Sequence, residues 1–77
     1  MIHDDLAVPV RSYSKQQLAT LYFPAIESVS AVRTLMTWIR RNKQLADLLM
    51  HAGYNMYQKM FTPAQVNLIF EYLGEPG

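Results

Sequence analysis

The stretch Ser28-Val-Ser-Ala-Val-Arg-Thr-Leu-Met-Thr-Trp-Ile-Arg-Arg-Asn42 carries two faces of different chemistry. Val29, Val32, Leu35, Met36 and Ile39 recur at the i, i+3, i+4, i+7 spacing that lines one stripe of an α-helix and requires a core to bury it. The other side collects Ser30, Arg33, Thr34, Thr37, Arg40 and Arg41. Guanidinium and hydroxyl groups on one helix face suit a DNA groove, where arginine meets phosphate or guanine and hydroxyls meet base edges or phosphates. Any solvated helix face has the same composition, so the residues alone leave both readings open.

Outward from this helix, the start signals are strong. Tyr13-Ser14-Lys15-Gln16-Gln17-Leu18 places Ser14 as N-cap, Gln17 at N3 of a capping box, and Tyr13 and Leu18 as a hydrophobic staple. A short helix from Lys15 is predicted, with Leu18, Leu21 and Tyr22 on its buried side. It ends before Pro24, because the residue ahead of a proline is pushed out of the helical region. Pro24 to Glu27 is a turn, with Ser28 or Ser30 as cap of the next helix. Short helix, brief turn and second amphipathic helix is the order of a helix-turn-helix, although Phe23-Pro24-Ala25-Ile26 replaces the usual tight glycine turn.

Beyond Ile39 the apolar stripe breaks at Arg40 to Lys43 and resumes with Leu45, Leu48, Leu49 and Ala52. Two readings stand: a third helix over Lys43 to Ala52 capped by Asn42, or one helix from Val29 to Ala52. Gly53 is placed as a C′ residue. Tyr54 to Met60 is a loop or a short ribbon. Phe61-Thr62-Pro63-Ala64-Gln65-Val66 then repeats the earlier start signal, with Thr62 as cap, Pro63 at N1, Gln65 at N3 and Phe61 stapled to Val66. Val66, Ile69, Phe70 and Leu73 form the stripe of this last helix, which Gly74 and Pro76 end. The two start segments align residue for residue, which shared capping chemistry explains without a duplication. Residues 1–12 have no period and read as an N-terminal arm, leaving one domain over 13–77.

Composition narrows the function classes. A chain of 77 residues with 51% hydrophobic and 17% charged residues is one small domain, too apolar for disorder. Its apolar surplus fits a filled core or a homodimer interface. Without cysteine there is neither disulfide nor thiolate metal site, which suits a cytoplasmic protein. No apolar run approaches the roughly 20 residues that span a bilayer, and His3-Asp4-Asp5 is not the start of an export signal. The net charge is only +1, yet four of the seven basic residues, Arg33, Arg40, Arg41 and Lys43, fall within eleven positions. Asp47 and His51, four apart, are two ligands and not a metal site. Neither histidine has the base and orienting partner that nucleophilic catalysis needs, so no enzyme, metal or cofactor is expected. Trp38 flanks the stripe as a core wall or a stacking platform, and Leu68 and Tyr72 offer an apolar patch for self-association.

The strings Tyr13 to Pro24, Trp38-Ile39-Arg40-Arg41-Asn42, Gly53-Tyr54, Phe61 to Val66 and Tyr72-Leu73-Gly74-Glu75-Pro76 together resemble a family of short bacterial proteins, abundant in gut anaerobes, known only as a domain of unknown function. The resemblance spans about residues 13–76 and implies a self-contained domain with no assigned activity. More loosely, the chain is similar to mercury-resistance-type (MerR-like) and excisionase-like helix-turn-helix domains, with a third helix where those have a basic wing. The combined expectation is an all-α, small four-helix domain with a helix-turn-helix-like core. It would bind double-stranded DNA in the bacterial cytoplasm through Ser30, Arg33, Thr34, Thr37, Arg40, Arg41 and Lys43. The alternative is a protein-interaction module for an acidic partner, or a small homodimer.

Overall fold

Two capped helix starts, tied to each other, organise the molecule. The computed structural model describes residues 8–76. In chain order these form β1 (Tyr13–Ser14), α1 (Lys15–Tyr22), α2 (Ser28–Arg41), α3 (Lys43–His51), β2 (Met60–Phe61) and α4 (Pro63–Leu73). The fold is predominantly α, and its strands make a single antiparallel ladder that pairs Tyr13 with Phe61 and Ser14 with Met60. Both capping boxes form. Ser14 Oγ accepts from the Gln17 amide at 2.9 Å while Gln17 Oε1 accepts from the Ser14 amide at 3.0 Å. Thr62 and Gln65 repeat the exchange at 3.2 and 3.0 Å. The residues ahead of the caps, Tyr13 and Phe61, are both buried.

The chain breaks at Asn42, so α2 and α3 are separate helices. Its extended backbone (φ −94°, ψ 92°) ends α2, and its Oδ1 accepts from the Leu45 amide at 3.1 Å to cap α3. An asparagine side chain competes well for backbone donors, which favours a cap over helix continuation. At the far end of α3, Gly53 takes φ +86°. Its amide donates to Met50 O and the Tyr54 amide donates to Leu49 O, the paired bonds of a Schellman motif.

The phase of α2 differs from the predicted stripe. Ala31, Leu35 and Ile39 are buried, Val32 and Met36 are half-buried, and Val29 is 66% exposed. Leu35 and Ile39 set the buried line, and extending it back by a turn reaches Ala31 instead of Val29. With Ala19 buried on α1 and Ala31 on α2, the two helices approach closely. Neither serine caps α2. Its N-cap is Glu27, which makes no side-chain cap bond, while Ser28 Oγ accepts from Gln16 Nε2 of α1 at 3.0 Å. Leu21, predicted inside, is exposed, and Leu68 and Tyr72, predicted as a patch, pack against the core. Of the stretch read as an arm, Val8 packs on the core and Tyr13 Oη donates to Pro9 O at 2.7 Å. His3-Asp4-Asp5 lies outside the described residues.

Residues 52–65 are held by two glutamine amides. Gln65, 1% exposed, accepts at Oε1 from Gln58 Nε2 at 2.7 Å as well as from its cap, and donates through Nε2 to Ala52 O at 3.1 Å. Gln58 also accepts from the Asn55 amide at 3.1 Å. Tyr54 stacks on Phe61 at 5.6 Å, with Lys15 Nζ 5.2 Å over its ring. The end of α4 is tied back to α1 by Tyr22 Oη, which donates to Gly74 O. Burial, with Glu75 adding to it, pushes the Tyr22 phenol up to about 12.

Two outcomes are expected. Thr62→Ala removes one N-cap and destabilises by about 1 kcal/mol. Gln65→Leu keeps the volume but strands Ala52 O and the Thr62 amide, each such loss costing about 1–3 kcal/mol, while Gln58 Nε2 keeps its bond to Met60 O. It is therefore the more damaging of the two, and urea midpoints rank them. Separately, Tyr22 stabilises the fold only while protonated. That contribution is full below its unfolded value of 10.0 and is lost as pH rises toward about 12. The alkaline fall in stability between these values should be smaller in Tyr22→Phe, with absorbance of tyrosinate following the ionisation.

Candidate nucleic-acid interface

The seven residues singled out on α2 and its end fall into three groups. Arg33, Thr37 and Arg40, at i, i+4 and i+7, form a ridge opposite Leu35 and Ile39, with both arginines exposed. Thr37 Oγ1 donates to Arg33 O at 2.9 Å and accepts from Arg40 Nη2 at 3.4 Å. That last contact is the only side-chain hydrogen bond that Arg33, Arg40, Arg41 or Lys43 makes among the described residues. Ser30 and Thr34 lie on a half-buried flank, where Thr34 Oγ1 donates to Ser30 O at 2.9 Å. Both threonines have spent their hydroxyl proton on their own helix, and Thr37 Oγ1 keeps accepting capacity beside Arg40 on the ridge.

Arg41 and Lys43 belong to a different place. They surround a hollow at the α2–α3 elbow together with Trp38, Asn42 and Leu73. Trp38 is 42% exposed and meets the Phe23 ring edge to face at 4.8 Å. No sequence signal announced this grouping, because Leu73 arrives from α4 through tertiary packing alone.

Lys15 and Lys59 do not extend the ridge. They line a separate groove with Val32, Met56 and Tyr57, and Lys15 Nζ donates to Met56 O at 3.0 Å. The Asp47–His51 pair also takes another form: the His51 ring meets the Asp47 backbone carbonyl at 2.8 Å instead of the carboxylate. Among the described residues no group of three or more His, Cys, Asp or Glu side chains could hold a metal ion. No helix among them is long and apolar enough to cross a membrane.

A family model covers residues 9–76 of this chain. The chain belongs to DUF4248, a domain of unknown function. No curated protein and no solved structure matches it.

Since Arg33 and Arg40 on the ridge and Arg41 at the elbow are all exposed, replacing them by glutamine is expected to shift stability by no more than about 0.5 kcal/mol per site. Leu35→Ala, in the buried line of the same helix, is expected to cost about 2–5 kcal/mol. Thermal or urea denaturation followed by circular dichroism compares them directly.

Proposed function

We propose that this domain is a small DNA-binding protein of the helix-turn-helix kind, acting in the bacterial cytoplasm. In this reading α1 supports α2 across the Phe23–Glu27 turn, and α2 enters the major groove. The observation that carries it is the open Arg33–Thr37–Arg40 ridge, whose cations form no ion pair with a carboxylate among the described residues, while Leu35 and Ile39 on the opposite side are buried. Arg33 is placed to read a guanine edge or a phosphate, and Thr37, with its proton spent, accepts from a base amino group. Arg40, Arg41 and Lys43 neutralise phosphates along the flank. The resemblance to MerR-like and excisionase-like domains agrees with this order of helices.

A second reading is favoured by one specific observation. The turn over Asn55–Gln58 presents Met56 at 72% and Tyr57 at 85% exposure, beside exposed Met60. Large apolar side chains on a hydrogen-bonded turn suit a protein partner or a second copy of the chain.

Duplex binding through α2 must weaken with salt, because each neutralised phosphate releases counterions and adds about 0.9 to the slope of log affinity against log salt. Arg40→Gln with Arg41→Gln is expected to flatten that slope by up to about 2. Arg33→Ala or Thr37→Ala is expected to cost roughly 1–3 kcal/mol on a preferred sequence and less elsewhere. Fluorescence anisotropy of labelled random and genomic duplexes at two salt concentrations measures both effects. A folded protein that binds no duplex at micromolar concentration puts the protein-partner reading in front.

A further inference from the structure

We propose that the hollow at the α2–α3 elbow binds an unpaired nucleobase together with an adjacent phosphate. It is a single-strand contact distinct from the ridge that would lie in a duplex groove. The inference rests on the nucleic-acid reading of α2 and shares Arg41 and Lys43 with it, adding Trp38 and Asn42, with Leu73 as the apolar floor.

Trp38 supplies the platform. It is 42% exposed where Phe61, the largest fully buried side chain, is completely enclosed. Its contact with Phe23 is edge to face, at an interplanar angle of 82°, and so covers at most one face of the indole. A partly exposed indole offers stacking area to any base, because every base has a π-face. A paired base inside a duplex cannot offer that face, so the platform adds nothing to duplex binding and selects unpaired strands. Asn42 has its Oδ1 engaged by the Leu45 amide, which leaves its Nδ2 to donate to a base carbonyl.

The cations supply the phosphate contact. Arg41 closes the last turn of α2, where a positive charge also complements the helix dipole. Lys43 has no such reason to be where it is. As the first residue of α3 it lies at the end where the dipole repels a cation, and it is exposed beside Arg41. Helix stability argues against a lysine there, whereas a phosphate shared with Arg41 accounts for it.

The chain has one tryptophan, so its emission reports on the hollow directly. Titration of the full chain with single-stranded octathymidylate is expected to quench that emission saturably, and an abasic sugar-phosphate octamer is expected not to. Two phosphate contacts give a salt slope of about 1.4, at about 0.7 each for single strands, and Arg41→Gln with Lys43→Gln should remove most of it. By anisotropy of the labelled octamer, Trp38→Leu should weaken binding roughly 5- to 150-fold while Trp38→Phe retains most of it. If Trp38→Leu fails to fold by circular dichroism, the quench and the Arg41/Lys43 slope decide. Octamer binding without quenching, or equal quenching by the abasic octamer, overturns the hollow and leaves the ridge standing. Quenching by octathymidylate in a protein that ignores duplexes upholds the hollow and overturns the groove reading. No binding of either overturns both.

Discussion

The buried amide of Gln65 is the interaction on which the rest depends. A primary amide enclosed by protein must satisfy its carbonyl and amino groups locally, since an unpaired one loses its hydration with nothing in return. Gln65 meets this demand by joining three parts of the chain: the cap of α4, the end of α3 at Ala52 and the Gln58 side chain. Within residues 52–60 Tyr54 packs against the core, and Gln58 and Gln65 accept and donate along the rest of the path. That path delivers Phe61 to Tyr54 and Tyr13, and so sets where α4 lies against α1.

Charge is distributed by the same economy. A net +1 is too small for a general polyanion surface, but among the described residues the basic side chains of α2 and Lys43 have no carboxylate partner. Lys15 is drawn inward over the Tyr54 ring. The cations therefore fall in two places, along α2 and its elbow and, with Lys15 and Lys59, beside the exposed Met56 and Tyr57.

What was legible in the chain was what is local. Ser14 with Gln17, Thr62 with Gln65, Asn42 as cap and Gly53 as helix stop all act within a few residues, and each formed where its side-chain chemistry placed it. The phase of α2 was harder. Alanine adds so little to an apolar stripe that Ala31 lost to Val29 in the sequence reading, although a close helix crossing prefers the smaller residue. The buried role of Gln65 was half visible, as a capping partner, while its bonds to Ala52 and Gln58 depend on segments that only folding brings near. The candidate site divides in the same way: the cations of α2 were readable from spacing, and the hollow around Trp38 was not, because it is completed by Leu73 from the far end of the chain.

The ladder between Tyr13 and Phe61 also governs the order in which the chain can fold. The helices α1 and α2 pack on each other across a short turn, so the contacts between them form early and cheaply in entropy. The segment that seals the start of α1, however, is made some fifty residues later, and closing a loop of that length costs chain entropy before any of its contacts help. During synthesis the first two helices therefore wait, with the aromatic ring of Tyr13 uncovered, until Phe61 and the helix after it have left the ribosome. The interval between the making of α2 and the arrival of Phe61 is therefore when the aromatic and apolar side chains of this domain are most open to wrong contacts.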